Sequence, residues 1–291
     1  MKNIITNKFK VTEDIHLSDY DTHVQLGSEK AVKKELKSLR KSLGKLQDTM
    51  YAHGKYSVLI CLQGMDTAGK DSLIREVFKD FNTRGIVVHS FKVPTDLELK
   101  HDFLWRHYIA LPARGKFSVF NRTHYENVLV TRVHPEYILG ENLPNVNSVN
   151  DITDEFWEQR FEQIRNFEQH IADNGTIIFK FFLNLSKSEQ KNRLLRRIEL
   201  KEKNWKFSPG DLKERKLWDS YQRCYQDAIN NTSTEKAPWY IIPADDKPSA
   251  RYIVAKTIYD TLKAYNDIEE PELSDDIKAS LSTYKLELEQ E

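Results

Sequence analysis

Five short apolar runs, separated by longer stretches in which apolar residues recur every three or four positions, set the plan of the chain. Val58–Leu62, Ile86–His89, Phe117–Phe120, Thr176–Leu183 and Trp239–Pro243 read as strands, and the fourth is apolar on both faces, as buried strands of parallel sheets are. Val32, Leu36, Leu39, Leu43, Leu46 and Met50 form a stripe along one helix beginning near Ser28. Further helices are expected over Asp71 to about Phe81, Thr153 to about Asp173 with a stop at Asn174-Gly175, and Ala250 to Tyr265. Ser186 and Glu189 have capping-box spacing and open another. This alternation predicts an α/β fold, a parallel sheet of about five strands between helical layers. Residues 1–50 are an N-terminal extension ending in the amphipathic helix, 51–270 one main domain, and 271–291 a tail in which Leu273, Ile277, Leu281 and Tyr284 keep helical spacing. The first helix is expected to pack on its own domain, a subunit contact being the lesser alternative, and Gly44 costs an isolated helix about 1 kcal/mol.

The first strand runs into Gly64-Met65-Asp66-Thr67-Ala68-Gly69-Lys70-Asp71. A strand, a glycine-rich turn and a helix starting near Lys70 aim backbone N–H groups and a helix dipole at one point, so Thr67, Ala68, Gly69, Lys70 and Asp71 are expected to surround a phosphate. Asp71 stands where a hydroxyl residue commonly ligates magnesium, and Asp66 adds a second carboxylate. Bare carboxylates repel phosphate, whereas a hard divalent cation joins the two. The loop thus reads as a metal–phosphate site with Asp66 as the main ligand to Mg2+, or Mn2+ in its place, and Asp71 or Glu126 as helpers. The plainer alternative is a tight turn with Asp71 starting a helix.

The third strand leads into Asn121-Arg122-Thr123-His124-Tyr125-Glu126. An aspartate is usual at the end of this strand in phosphate-loop enzymes. Asn121 brings hydrogen bonds without charge, and Arg122 is placed to grip a phosphate. His101 and His107, six apart, do not share a helix face and are expected to be structural or surface residues.

Charge adds one more feature. The 291 residues are 39% hydrophobic and 30% charged with a formal net charge of zero, which excludes a chain that is basic all over. Between Lys187 and Lys216, however, eleven basic residues face five acidic ones. Arg193, Arg196 and Arg197 share one helix side. A basic helix, the turn Ser208-Pro209-Gly210-Asp211 and a second helix suggest a lid at about 187–232 that closes over phosphates. No apolar run is long enough to span a membrane, the first residues lack a signal-peptide block, and two cysteines make no disulfide framework, so a reducing cytoplasm is expected.

Taken together, Leu62–Asp71, Ser90–Thr95, His101–Arg106, Asn121–Glu126 and Trp205–Arg215 resemble the family-2 polyphosphate kinases from about Lys8 to Tyr265. The resemblance implies a thymidylate-kinase-like phosphate-loop fold with a two-helix lid, and Mg2+-dependent phosphoryl exchange between inorganic polyphosphate and nucleotides. Asn121, where many members carry aspartate, resembles the subgroup that accepts nucleoside mono- and diphosphates, chiefly AMP and ADP, with ATP as product. It further implies a homo-oligomer, a tetramer or dimer; the neutral total charge, the lack of a recognition motif and the short apolar runs point to no nucleic-acid or membrane partner. Asp66, Lys70, Asn121, Arg122 and Glu126 are then expected to be catalytic, and Arg193, Arg196, Arg197 and Lys206 to guide polyphosphate. Arg106, Asn121, Tyr125 and Glu126 fall on the nucleotide side. Two alternatives stand beside this: an ATP-dependent nucleoside monophosphate kinase, and a phosphate-loop module binding nucleic acid through its basic segment.

Overall fold

The computed structural model describes residues 6–291. Every expected strand is found within a residue of its expected ends: β1 (Ser57–Gln63), β2 (Ile86–Ser90), β3 (Phe117–Asn121), β4 (Thr176–Asn184) and β5 (Trp239–Pro243). They form one parallel sheet in the order β2-β3-β1-β4-β5. All of β1 and all of β4 after Thr176 are buried, which explains their apolar residues on both faces. From β1 the chain moves out to β2, returns through β3, and crosses to β4 and β5 on the other side. The loops after β1 and β3 therefore part at the carboxyl edge, where open α/β sheets bind ligands.

In chain order the helices are α1 (Glu29–His53), α2 (Lys70–Val77), α3 (Trp105–Tyr108), α4 (Glu126–Val133), α5 (Asp154–Asp173), α6 (Lys187–Glu199), α7 (Pro209–Lys216), α8 (Trp218–Thr232), α9 (Lys247–Lys263) and α10 (Asp275–Glu289). Helices α1, α2 and α9 cover one face of the sheet, packing on Val58, Ile60, Phe117 and Val119. Helices α4, α5 and α8 cover the other. The α1 stripe is satisfied within the chain: Val32, Leu36, Leu43 and Met50 are buried. Gly44 has a packing reason, since a Cβ there would lie 2.5 Å from the Asp80 carbonyl oxygen.

The basic segment divides into two parts. Helix α8 turns Trp218, Tyr221, Tyr225 and Ile229 into the core, so it belongs to the body of the domain rather than to a mobile cover. Helix α7 buries nothing, and the turn Lys201–Lys206 before it is likewise without a buried residue. The Lys201–Lys206 turn and α7 therefore have the loose packing that a cover needs, and they hang from α6, which buries Gln190, Arg193 and Leu194. Among the described residues no helix is long and apolar enough to cross a membrane.

Candidate active site

The loop after β1 is shaped by close approach and by unusual backbone angles. Gly64 has φ 150°, and a Cβ there would meet the Leu183 carbonyl oxygen at 3.0 Å, so the loop lies directly against β4. Gly69, at φ 110°, starts α2. Thr67 adopts φ 67° without being glycine, and Arg122 does the same at φ 60°. Such angles persist where the surroundings enforce them, and here both lie at the same edge of the sheet. The Lys70 ammonium donates to the Gly64 carbonyl oxygen at 2.5 Å. Desolvation pushes its pKa down, against the pull of the nearby Asp66 carboxylate.

Two contacts join this loop to the end of β3. Leu62 pairs with Asn121 in the sheet, which brings Asn121 level with the root of the loop. From there its amide donates to Asp71 Oδ1 at 2.6 Å. Arg122 Nη2 donates to Asp66 Oδ1 at 3.1 Å, and its Nη1 lies 4.0 Å from Glu126 Oε2. Burial works against the Arg122 charge, but Glu126 and Asp66 outweigh it and hold the guanidinium pKa up. Glu126 is itself held from behind, its Oε1 accepting from Gln63 Nε2 at 2.9 Å.

Asp66, Thr67, Gly69, Lys70, Asp71, Asn121 and Arg122 line one wall of a cavity of about 850 Å3. Ser90 and Lys92 extend that wall. Facing it are Arg196 and Arg197 of α6, Lys203 and Lys206 of the following turn, and Lys247 at the start of α9. Nine basic and four acidic side chains line the space, so it attracts anions, and extended ones in particular. Burial, with Arg193 and Arg251 nearby, lowers the Lys247 pKa to about 8.

Four expected site residues have other work. Arg193 is 7% exposed and spends every donor on the protein. Its Nη1 bonds the Thr67 and Ala68 carbonyl oxygens, each at 3.0 Å, its Nη2 bonds those of Ala244 and Asp245, and its Nε bonds Glu189. It is a strut under the loop, not a ligand with free N–H groups. Tyr125 is fully buried: its hydroxyl donates to Glu168 Oε1 at 2.7 Å and accepts from Lys180 Nζ at 2.9 Å. Arg106 bonds the Lys92 carbonyl oxygen and stacks over Phe91, outside the cavity lining. Glu126 stands behind Arg122, also outside the lining. Conversely, sequence reasoning missed Gln63, Lys92, Lys203 and Lys247. Gln63, Lys92 and Lys203 lie inside the motifs and the basic segment above without being singled out there, and Lys247 had its own local signal, an Asp-Lys-Pro helix start directly after the last strand.

Among the described residues no three His, Cys, Asp or Glu side chains are grouped to hold a metal by themselves. The donor set nevertheless fits Mg2+, which takes few carboxylates and keeps water and phosphate oxygens as its other ligands. Asp66 and Asp71 both line the cavity, and each has one oxygen engaged in the contacts above and one without a hydrogen bond.

Residues 26–270 match the family described as polyphosphate kinase 2 (PPK2). An ADP-polyphosphate phosphotransferase of Rhodopseudomonas palustris is 45% identical over 265 residues, 90% of this chain and 91% of that one. An AMP/ADP-polyphosphate phosphotransferase of Meiothermus ruber is 44% identical over 243 residues, 84% and 85% of the two chains. The crystal structure of polyphosphate kinase 2 from Arthrobacter aurescens superposes with a TM-score of 0.86 at 34% identity, covering 95% of each chain. The parallel sheet and its loop are thus a phosphate-loop kinase fold, and with likeness in sequence and structure over most of its length this chain belongs to the polyphosphate kinase 2 family.

Proposed function

We propose that the protein transfers the terminal phosphoryl group of inorganic polyphosphate to AMP and ADP, reversibly, in the cytoplasm and with Mg2+, which Mn2+ can replace. The observation that carries this reading is the cavity itself: a phosphate loop at one end and an array of Arg196, Arg197, Lys203 and Lys206 along the other wall. A nucleotide donor needs charge near two or three phosphates; a long polyanion needs it along a track. The two relatives, an ADP-polyphosphate and an AMP/ADP-polyphosphate phosphotransferase, support the same donor and acceptors.

In this mechanism the attacking group is a phosphate oxygen already ionised at neutral pH, so no side chain needs to remove a proton. Position and charge do the work. Lys70 swings from the Gly64 carbonyl to the phosphates, and the N–H groups of Thr67 to Asp71 hold the oxygens next to the transferred group. Arg122, kept charged by Asp66 and Glu126, faces the equatorial oxygens that gain negative character in the transition state. Asp66 and Asp71 would hold the cation, which when bound would neutralise phosphate charge. Residues 187–216 act as the lid, bringing Arg196, Arg197 and Lys206 over the chain and expelling water. Arg193 anchors that lid to the loop.

Phosphorus NMR tests the reading. With ADP, polyphosphate and Mg2+ the β-phosphate signal of ATP should grow as internal polyphosphate signals decline. Stable polyphosphate signals with active, folded protein would reject it.

A further inference from the structure

None of the fifteen residues of α10 is buried. Its ion pairs, Lys278 with Glu272 and Lys285 with Glu289, are local. Leu273, Ile277, Leu281, Tyr284 and Leu288 nonetheless recur along one side, each between 42% and 70% exposed. A helix this short is marginal alone in water and gains stability by burying such a stripe. The stripe needs a partner surface.

Charge narrows the choice of partner. Residues 266–291 hold nine acidic and two basic side chains, so two copies of this whole segment laid together would repel. The segment 187–216 has the opposite balance, eleven basic to five acidic. It also exposes Leu195, Ile198, Trp205 and Leu212, at 42% to 79%. Leu195 and Ile198, three apart on α6, share a side. An apolar stripe rimmed by carboxylates thus meets apolar side chains set among lysines and arginines.

The structure decides which copy supplies that surface. The Tyr56 hydroxyl donates to Asp267 at 2.8 Å at the foot of β1, and Ile268 packs on the core beside it. Beyond that anchor α10 buries no residue against its own chain, whose basic segment stays uncovered, so a neighbour's segment is the surface left to it.

We propose that α10 is an arm that docks on residues 187–216 of a second copy of this chain, reciprocally, so that the pair closes with twofold symmetry. The docking does not depend on which phosphate donor the enzyme uses. The experiment takes the full-length protein with Tyr284→p-benzoylphenylalanine, mixes heavy-isotope-labelled and unlabelled chains, illuminates, and identifies the joined peptides by mass spectrometry. Crosslinks between α10 of one isotope and 187–216 of the other are expected. Raising salt from about 0.05 to about 0.5 M should lower their yield at least about threefold. Crosslinks confined to single chains, or joining α10 to another part of the second copy, would overturn the proposal. Light scattering gives an independent reading: Ile277→Ser with Leu281→Ser should lower the molar mass of the full-length protein, and a full-length chain that is already a monomer overturns the proposal as well.

Discussion

The side-chain amide of Asn121 donates to the Asp71 carboxylate at 2.6 Å, tying the end of β3 to the first turn of α2. A carboxylate at position 121 would put two like charges at hydrogen-bond distance, an arrangement that holds only by sharing a proton or a cation. The amide removes that demand. Asp71 keeps its second oxygen uncommitted, ready for a metal that arrives with its phosphates.

Replacing Asn121→Asp should therefore make stability depend on metal. In a chelator at pH 7 the melting temperature should fall by about 3–6 °C, and millimolar Mg2+ should restore it. Identical melting of variant and parent in both buffers would contradict the pairing.

Asp66→Asn and Lys70→Ala should each lower turnover about a hundredfold or more, with circular dichroism unchanged. Asp66 and Lys70 face the cavity, and neither belongs to the apolar core. Turnover near that of the parent in either variant would remove that residue from the mechanism.

Arg193→Met should destabilise the protein by about 3 kcal/mol in urea titration, because four main-chain carbonyls lose their donors at once. Lysine cannot reach all four from one ammonium, so Arg193→Lys should recover little. A variant as stable as the parent would mean that the strut is dispensable.

Lys247 gives the site a pH dependence. With its pKa lowered to about 8 by burial and neighbouring cations, it is charged at pH 7 and neutral by pH 9. Polyphosphate affinity should weaken across that interval, and Lys247→Arg should flatten the profile. The stability effect has the opposite sense: between about 8 and the ordinary lysine value of 10.5 the unfolded chain holds this proton more tightly, so folding gains from this group as pH rises. A Lys247→Arg profile that matches the parent's would place the titration elsewhere.

Beneath the site, Lys180 Nζ bonds Glu168 at 2.6 Å, the Tyr125 hydroxyl at 2.9 Å and the Thr232 carbonyl oxygen at 2.7 Å, all out of contact with water. Burial alone would raise the Glu168 pKa, yet Lys180 and His124 bring it below the usual value. Lys180→Met strands that carboxylate and should cost about 3–5 kcal/mol, while adding Glu168→Gln should recover part of the loss. Equal stability of the single variant and the parent would refute the pair's role.

What the sequence made legible followed from local signals. Apolar runs located all five strands, and the glycines with Lys70 located the loop, because strand burial and left-handed turns leave their mark within a few residues. Side-chain direction left no such mark. Arg193 lies on a basic helix and reads as a phosphate ligand until Ala244, far along the chain, arrives beside it. Tyr125 sits in the motif after β3 but points into the core, toward a lysine on β4 and a glutamate on α5. The lysine within an otherwise apolar strand was a hint of a buried acidic partner, though not of its identity.

The most direct test of the central claim is chromatography of nucleotides after incubating the pure protein with AMP, Mg2+ and long-chain polyphosphate, with no ATP present. The account predicts ADP first and then ATP. Untouched AMP and ADP, with transfer only when ATP is supplied as donor, would contradict it and make the protein an ordinary nucleotide kinase.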